Sequence, residues 1–371
     1  MTAASAPVRL GMIGCGLISH AHGKAAAKAG HDVRFVSCAS RRADVAKAWA
    51  ETYGCDTCYA DYRDMLRNET LDGVVIATWP TGHRAQIEDT LDAGVRFILC
   101  EKALVTSDAD ALAVWEAARR SNATVIEGFM YRHHDVIFKA NEIVGQGGLG
   151  VIDSVHASFH MFDPEEGSAA GAARTWRQNR DVGGGGVLHD FLCYPVDAAN
   201  HFAGAMPVRV FASGSDSATF DVTNRLYAQI DYANGCVATV ASSRKACFQQ
   251  GLAIAGSDAV LNVPLAWSIP GDAILSVTAS PSFLAQERTE YRFPREGAHD
   301  STLVDFPVFT RQLENFAQVI LGAAGPVMPL AASVVDAFVL SAIERSYRSR
   351  LPETVDLPEY FIETSKDSQN G

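Results

Sequence analysis

The stretch Leu10-Gly11-Met12-Ile13-Gly14-Cys15-Gly16-Leu17-Ile18-Ser19 decides how the rest of the chain is read. An apolar run passes into two closely spaced glycines, and an Ala/Lys-rich helical pattern follows. The order is strand, tight turn, helix. It sets backbone N–H groups and the positive end of a helix dipole under a pyrophosphate. Gly14 permits the tight turn, and Gly16 lets the backbone approach phosphates with no Cβ in the way. Leu17 and Ile18 complete the loop. Ser19 takes the third small position of a Gly-x-Gly-x-x-small fingerprint.

The chain around this stretch has 371 residues, which predicts about two domains. A hydrophobic content of 48% with 20% charged residues is that of an ordinary globular protein. The net charge of -12 argues against nucleic acid or an anionic membrane as main partner, while a local site can still hold an anionic cofactor. The start, Met1-Thr2-Ala3-Ala4-Ser5-Ala6-Pro7, has no basic segment ahead of an apolar core, so a cytoplasmic location is expected. Eight scattered cysteines include one C-x-x-C pair, Cys55 and Cys58, with no second pair to complete a zinc site. No metal is expected, and the pair reads as a turn with incidental thiols.

Residues 1–128 alternate strand and helix patterns. The strands (Val33–Ala39, Gly73–Ala77, Val95–Cys100 and Ala123–Glu127) are near-continuous apolar runs, the mark of a parallel sheet covered on both faces. A doubly wound, Rossmann-like domain is predicted. Residues 129–371 change character. A helix over Tyr131–Val144 is followed by six strand patterns between Val151 and Ala279, then helices near Val308–Leu321 and Ala331–Arg348. This predicts a second, α+β domain with an open, largely antiparallel sheet, and a disordered tail from Thr364. The uncovered sheet face suggests a homodimer or homotetramer.

Ligands of such parallel sheets lie beyond the carboxyl ends of the strands. There the sequence offers Ser40-Arg41-Arg42 after the second strand, with no carboxylate to meet a ribose 2′-hydroxyl. Arginine accommodates a 2′-phosphate, so NADP(H) is favoured and NAD(H) remains open. Ala77-Thr78-Trp79-Pro80-Thr81-Gly82-His83 follows the next strand and is expected to lie under the nicotinamide ribose, with Thr78, Trp79 and His83 against the cofactor. Glu101-Lys102 ends a buried strand, where charge is costly unless paired or functional. Lys102 there is placed to bond a substrate hydroxyl and lower its pKa. In the second domain, Gly183-Gly184-Gly185-Gly186 leads to Asp190, Tyr194, Asp197 and His201, spaced to share one face of a helix starting near Phe191. His189 reads as a bystander.

Taken together, these stretches resemble the Gfo/Idh/MocA family of NAD(P)-dependent oxidoreductases, on the side of its glucose–fructose oxidoreductase and dihydrodiol dehydrogenase branch. Glu127-Gly128-Phe129-Met130-Tyr131-Arg132 and Gln312-Leu313-Glu314-Asn315-Phe316 are similar to further parts of the family pattern, so the resemblance spans nearly the whole chain. It implies Lys102 as the active-site lysine, Asp190 orienting substrate hydroxyls, and Tyr194 as general acid/base in hydride exchange with a sugar, cyclitol or related polyol. Gly14, Gly16, Leu17, Ile18, Ser40, Arg41, Thr78, Trp79, His83, Glu101 and Lys102 would hold the cofactor. Arg132, Trp176 and Arg177 stand as substrate-side residues or as packing. Three positions depart from the pattern. Ala103 replaces proline, Trp79-Pro80 replaces Pro-Asn, and Phe191 replaces glycine. An NAD-dependent glycosidase of the same fold and a non-catalytic dinucleotide sensor are the alternative readings.

Overall fold

The computed structural model describes residues 7–29, 33–163, 175–267, 272–282, 285–293 and 307–367. These fall into two compact units. The first lies within Met1–Leu104, Leu112–His134 and Arg295–Leu330, and the second within Val105–Ala111, Asp135–Pro294 and Ala331–Gly371.

The first part of the chain runs β1 (Val8–Ile13), α1 (Ser19–Lys28), β2 (Val33–Ala39), α2 (Ala43–Tyr53), β3 (Thr57–Tyr59), α3 (Tyr62–Asn68), β4 (Gly73–Ile76), α4 (Pro80–Asp92), β5 (Phe97–Glu101), α5 (Asp108–Arg120) and β6 (Thr124–Gly128), then a 3-10 turn, Met130–His133. Its six strands form one sheet in the order β3-β2-β1-β4-β5-β6, every neighbouring pair parallel. Leu10, Met12, Val74, Val75, Ile76 and Ile98 are fully buried, which explains the unbroken apolar runs. The strand order reverses between β1 and β4, so the Gly14–Gly16 turn stands at the switch point where ligands of such sheets bind. Ser107 caps α5, its hydroxyl accepting from Asp110 N at 3.1 Å.

The chain continues through α6 (Asp135–Gly145), β7 (Ile152–His160), α7 (Arg180–Gly183), α8 (Val187–Asp190), α9 (Cys193–Ala203), β8 (Pro207–Asp216), β9 (Thr223–Tyr232), β10 (Val237–Ser243), β11 (Gln249–Gly256), β12 (Ala259–Val263), β13 (Ala273–Ser282) and β14 (Ala285–Phe293). After α10 (Pro307–Ile320), which belongs to the first unit, come α11 (Leu330–Ser349), β15 (Glu353–Thr354) and α12 (Glu359–Asp367). The second sheet has the order β14-β13-β12-β11-β7-β10-β9-β8-β15, and only β7 and β10 are parallel neighbours. Its strands alternate: Leu226, Ala228 and Ile230 of β9 point inward, while Arg225, Tyr227 and Gln229 are exposed. Helix α9 packs on the inner face against β7 and β10.

Several expectations need correction. Helix α10, far beyond residue 128, packs within the first compact unit, burying Val308, Phe309, Leu313 and Phe316; Phe309 meets the His22 ring edge-on at 5.4 Å. The helix expected over Tyr131–Val144 is divided by His134, whose backbone is extended. Asp190 ends α8, one short turn before α9, and α9 keeps Pro195 within its first turn as proline requires. The expected polar stripe therefore breaks. Asp190, Tyr194 and Asp197 are buried, whereas His201 is exposed and bonds Asn141 Oδ1 at 2.7 Å. Helix α12 runs through Asp367, so the tail expected to be disordered from Thr364 is helical that far, and residues 368–371 lie outside those described.

Candidate active site

In the first unit the turn after β1 is fixed by sterics. Gly14 has φ +95, and a Cβ there would come within 2.7 Å of Thr78 Cγ2 and 2.8 Å of the Ala77 carbonyl oxygen. A Cβ built on Gly16 meets nothing within 4 Å, so open space stands before it at the start of α1. Ile18 forms the helix cap, Leu17 is 69% exposed, and Ser19 is buried with its hydroxyl donating to the Gly16 carbonyl at 2.6 Å. The first turn of α1 carries no acidic side chain. An open cradle at a helix start, with no competing carboxylate in the first turn, fits a dinucleotide pyrophosphate.

Ser40 follows β2, and its hydroxyl accepts from Arg42 N at 3.4 Å. Arg41 is exposed, with its guanidinium carbon 5.2 Å from the centroid of the Trp79 ring. Thr78 donates to Gln86 Oε1 at 2.5 Å.

Lys102 sits half-buried in a turn pinned on several sides, with a cis peptide bond joining it to Ala103. Glu101 Oε1 accepts from His22 Nε2 of α1 at 2.8 Å, both groups buried. Leu104 N donates to the buried Glu127 at 2.7 Å. His83 lies wholly buried under the same turn, its Nδ1 donating to the carbonyls of Ala103 at 3.0 Å and Leu104 at 3.2 Å. Burial lowers the His83 pKa, keeping the ring neutral. His83 and Glu101 thus both brace the lysine turn. Arg132 is buried in the 3-10 turn beside His133, whose pKa burial and the Arg132 charge push down to about 3.

In the second unit the four glycines do two things at once. Gly184, Gly185 and Gly186 all take positive φ, and Gly186 bridges to Thr223 of β9, whose carbonyl leaves no room for a Cβ. That close seat delivers α8 and places Asp190 in the interior. Asp190 Oδ2 accepts from Arg244 Nη2 at 2.7 Å and from Arg177 Nε at 3.0 Å. Arg244 Nη1 reaches Asp163 Oδ2 at 2.8 Å, and its guanidinium stands 5.0 Å from the Phe191 ring centroid. Arg177 lies over Trp176 at 4.4 Å. Tyr194 is buried and packs against Phe159 (5.6 Å, edge-on) and Trp267 (6.2 Å). His189 is buried, which lowers its pKa to about 4 and keeps it neutral near pH 7.

His22, Asp163 and Arg244 are the structural partners that sequence reasoning missed. None lies in a recognisable motif, and each acquires meaning only through a partner distant in the chain. Cys55 and Cys58 are free thiols, half-buried and exposed.

A GFO/IDH/MocA model described as an oxidoreductase family with an NAD-binding Rossmann fold matches residues 8–129, and the family's C-terminal domain model matches residues 137–262. A D-xylose 1-dehydrogenase (NADP(+)) of Haloferax volcanii is 34% identical over 206 residues, 55% of this chain and 60% of that protein. Less than two thirds of that relative is therefore spanned. A levoglucosan dehydrogenase solved with NADH superposes at TM-score 0.83 and 19% identity, over 95% of this chain and 100% of its own. A 3-ketoreductase of Actinomadura kijaniata, solved with NADP and TDP-benzene, superposes at 0.76 with 25% identity, over 92% and 98%. With both family models matched in order, and with a parallel dinucleotide-type sheet followed by a mixed sheet, the chain belongs to the GFO/IDH/MocA family of oxidoreductases.

Proposed function

We propose that this protein is an NADP(H)-preferring oxidoreductase that exchanges a hydride with a carbinol or carbonyl carbon of a sugar or related polyol. The observation that carries the reading is the open cradle before Gly16, with Gly14 held in a conformation that only glycine adopts cheaply. Ser40 and Arg41, with no acid at 40–42, support a 2′-phosphate. The related D-xylose dehydrogenase and sugar 3-ketoreductase support the substrate class.

Gly14, Gly16, Leu17 and Ile18 would hold the pyrophosphate, Ser40 and Arg41 the 2′-phosphate, and Thr78 and Trp79 the nicotinamide ribose. A bound nicotinamide supplies the hydride acceptor or donor. Lys102 favours the alkoxide form of the reacting hydroxyl through its positive charge. Tyr194 exchanges the hydroxyl proton as general acid/base. Asp190, held in place by two guanidinium groups, accepts hydrogen bonds from neighbouring hydroxyls. Trp176 and Arg177 bound the polyol. Arg132 stands with them on the substrate side.

The second sheet supports self-association. Its outer face presents Phe211 and Tyr227, 48% and 45% exposed, beside a groove of about 680 Å³ floored by small residues such as Ser158, Ala241, Gly251 and Ala253. A second copy of the chain would bury both rings.

The test is a panel of aldoses, anhydrosugars, polyols and keto-sugars followed at the nicotinamide absorbance with both dinucleotides. Turnover with NADP(H), abolished in Lys102→Met and Tyr194→Phe, is expected. Dinucleotide binding with no turnover across the panel would favour the sensor reading.

A further inference from the structure

Within the second unit a row of aromatic rings leads from Tyr194 out to solvent. Phe159 meets the Tyr194 ring edge-on at 5.6 Å and the Phe248 ring edge-on at 6.4 Å. Phe159 is buried, whereas Phe248 is 50% exposed. The ladder between β7 and β11 pairs His160 with Gln249, so one further step sets Met161, 38% exposed, opposite Phe248. The chain keeps its strand spacing beyond β7. Met161 N donates to the Ser243 carbonyl and Asp163 N to the Arg244 carbonyl, each at 2.9 Å. Alternate residues of a strand share a face, so Phe159, Met161 and Asp163 stand in line. Phe159 joins that line to Tyr194, and Asp163 joins it to the Arg244–Asp190 cluster. Between the two, Met161 and Phe248 leave adjoining apolar surface in water at the edge of a site built for hydroxyls, which marks a surface for a ligand to cover.

We propose that Phe248 and Met161 form a subsite for an apolar aglycone, so that the preferred substrate is an aryl or alkyl glycoside rather than a free sugar. The subsite rests on the sugar-oxidoreductase reading above and adds to it the substituent that the sugar carries. A sugar whose reacting carbon lies at Tyr194 covers the step across Phe159, and a group on its far side arrives at Phe248. Neither Phe248 nor Met161 carries a hydrogen-bond donor, so this surface rewards an apolar group and not the hydroxyls of a second sugar. An aromatic aglycone suits it best. The phenyl ring offers an edge or face to another ring, and the thioether adapts to whatever lies beside it.

The experiment compares phenyl and methyl β-glycosides of D-xylose and D-glucose, with NADP+ present, by heat of binding and by turnover. Wild type, Phe248→Ala and Met161→Ala are used, each checked by circular dichroism and light scattering. The subsite predicts that a phenyl glycoside binds wild type at least about tenfold tighter than its methyl counterpart. Phe248→Ala should remove most of that preference, Met161→Ala part of it, and both should leave methyl glycosides within about twofold. In turnover the phenyl advantage should appear in KM with kcat unchanged, because the aglycone lies away from the reacting carbon. Equal binding of phenyl and methyl glycosides to wild type, or a phenyl preference that survives in Phe248→Ala, overturns the subsite. So does a Phe248→Ala variant that changes the mass of the particle and treats the two glycosides as wild type does, which would give the patch to a second copy of the chain. Turnover with no phenyl preference would leave the sugar-oxidoreductase reading standing. Phenyl-selective binding with no turnover of any glycoside would keep the subsite and remove that reading. If no glycoside binds, the subsite falls.

Discussion

Arg244 Nη2 and Asp190 Oδ2 lie 2.7 Å apart with side chains only 8% and 2% exposed. A buried charge pair of this kind contributes little net stability against an apolar substitute, yet breaking it is costly because one charge is left stranded. Here the pair is also locked from the sides. Arg177 bonds the same carboxylate oxygen, Asp163 bonds the far end of Arg244, and Phe191 shelves the guanidinium. The bulky residue at 191, a departure from the family pattern, has a local reason in that shelf. Arg244→Met should therefore destabilise the protein by about 3 kcal/mol in urea unfolding, and the added loss on Asp190→Asn should be much smaller than in the wild-type background. Additive losses would mean that the two groups do not act as a unit.

The two glycines of the first turn should separate folding from binding. Gly14→Ala puts a Cβ into Thr78 and the Ala77 carbonyl at positive φ, so a loss of about 1–3 kcal/mol is expected together with lost dinucleotide binding. Gly16→Ala meets nothing in the fold. It should keep its stability within about 0.5 kcal/mol while dinucleotide affinity falls, checked by thermal melts and titration of both variants.

His22 tests how the lysine turn is braced. His22→Ala removes the donor to Glu101 and leaves a buried carboxylate without it, at a cost of about 1–3 kcal/mol. His22→Gln keeps a donor and should recover part of both stability and turnover. Recovery of stability without turnover would place the effect in packing alone.

Stability should fall on acidification before most carboxylates titrate. Burial depresses the pKa of His189 to about 4 and of His133 to about 3, and lowers that of His83. The unfolded chain binds protons at these sites near a pKa of roughly 6.5, so between the two values it holds more protons than the native state. The stabilisation is present above about pH 6.5 and is lost as pH falls toward the folded values, by about 1.4 kcal/mol per unit for each histidine. Urea midpoints from pH 7 to pH 4.5 should show this slope, and His189→Gln should reduce it by about one proton.

How much of this was legible in the sequence depended on range. The Gly14 and Gly16 roles, the buried strands and the end of β5 at Glu101 are local, written in adjacent residues. The Arg244–Asp190 and His22–Glu101 contacts join residues 54 and 79 positions apart, which periodicity does not reveal. Strand β14 was unreadable for another reason. Its Glu287, Arg288 and Glu290 are exposed, so the apolar alternation that marks a half-buried strand is absent. The Asp190 stripe failed because α8 and α9 are separate turns, a break that the spacing rule cannot see.

The outer face of the second sheet predicts a mass. Wild type should elute as a dimer or tetramer by light scattering, and Tyr227→Asp with Phe211→Asp should shift it toward monomer while its circular dichroism stays unchanged. A wild-type monomer would remove the proposed interface.

The central claim is hydride transfer to a sugar carbon, and isotope tracing tests it most directly. NADPH carrying deuterium at nicotinamide C4 would be incubated with the keto-sugars of the panel and the products read by mass spectrometry and NMR. The account predicts one deuterium on the newly formed carbinol carbon, none in solvent, and none with Lys102→Met. Dinucleotide that binds and yet leaves every sugar unlabelled would contradict it.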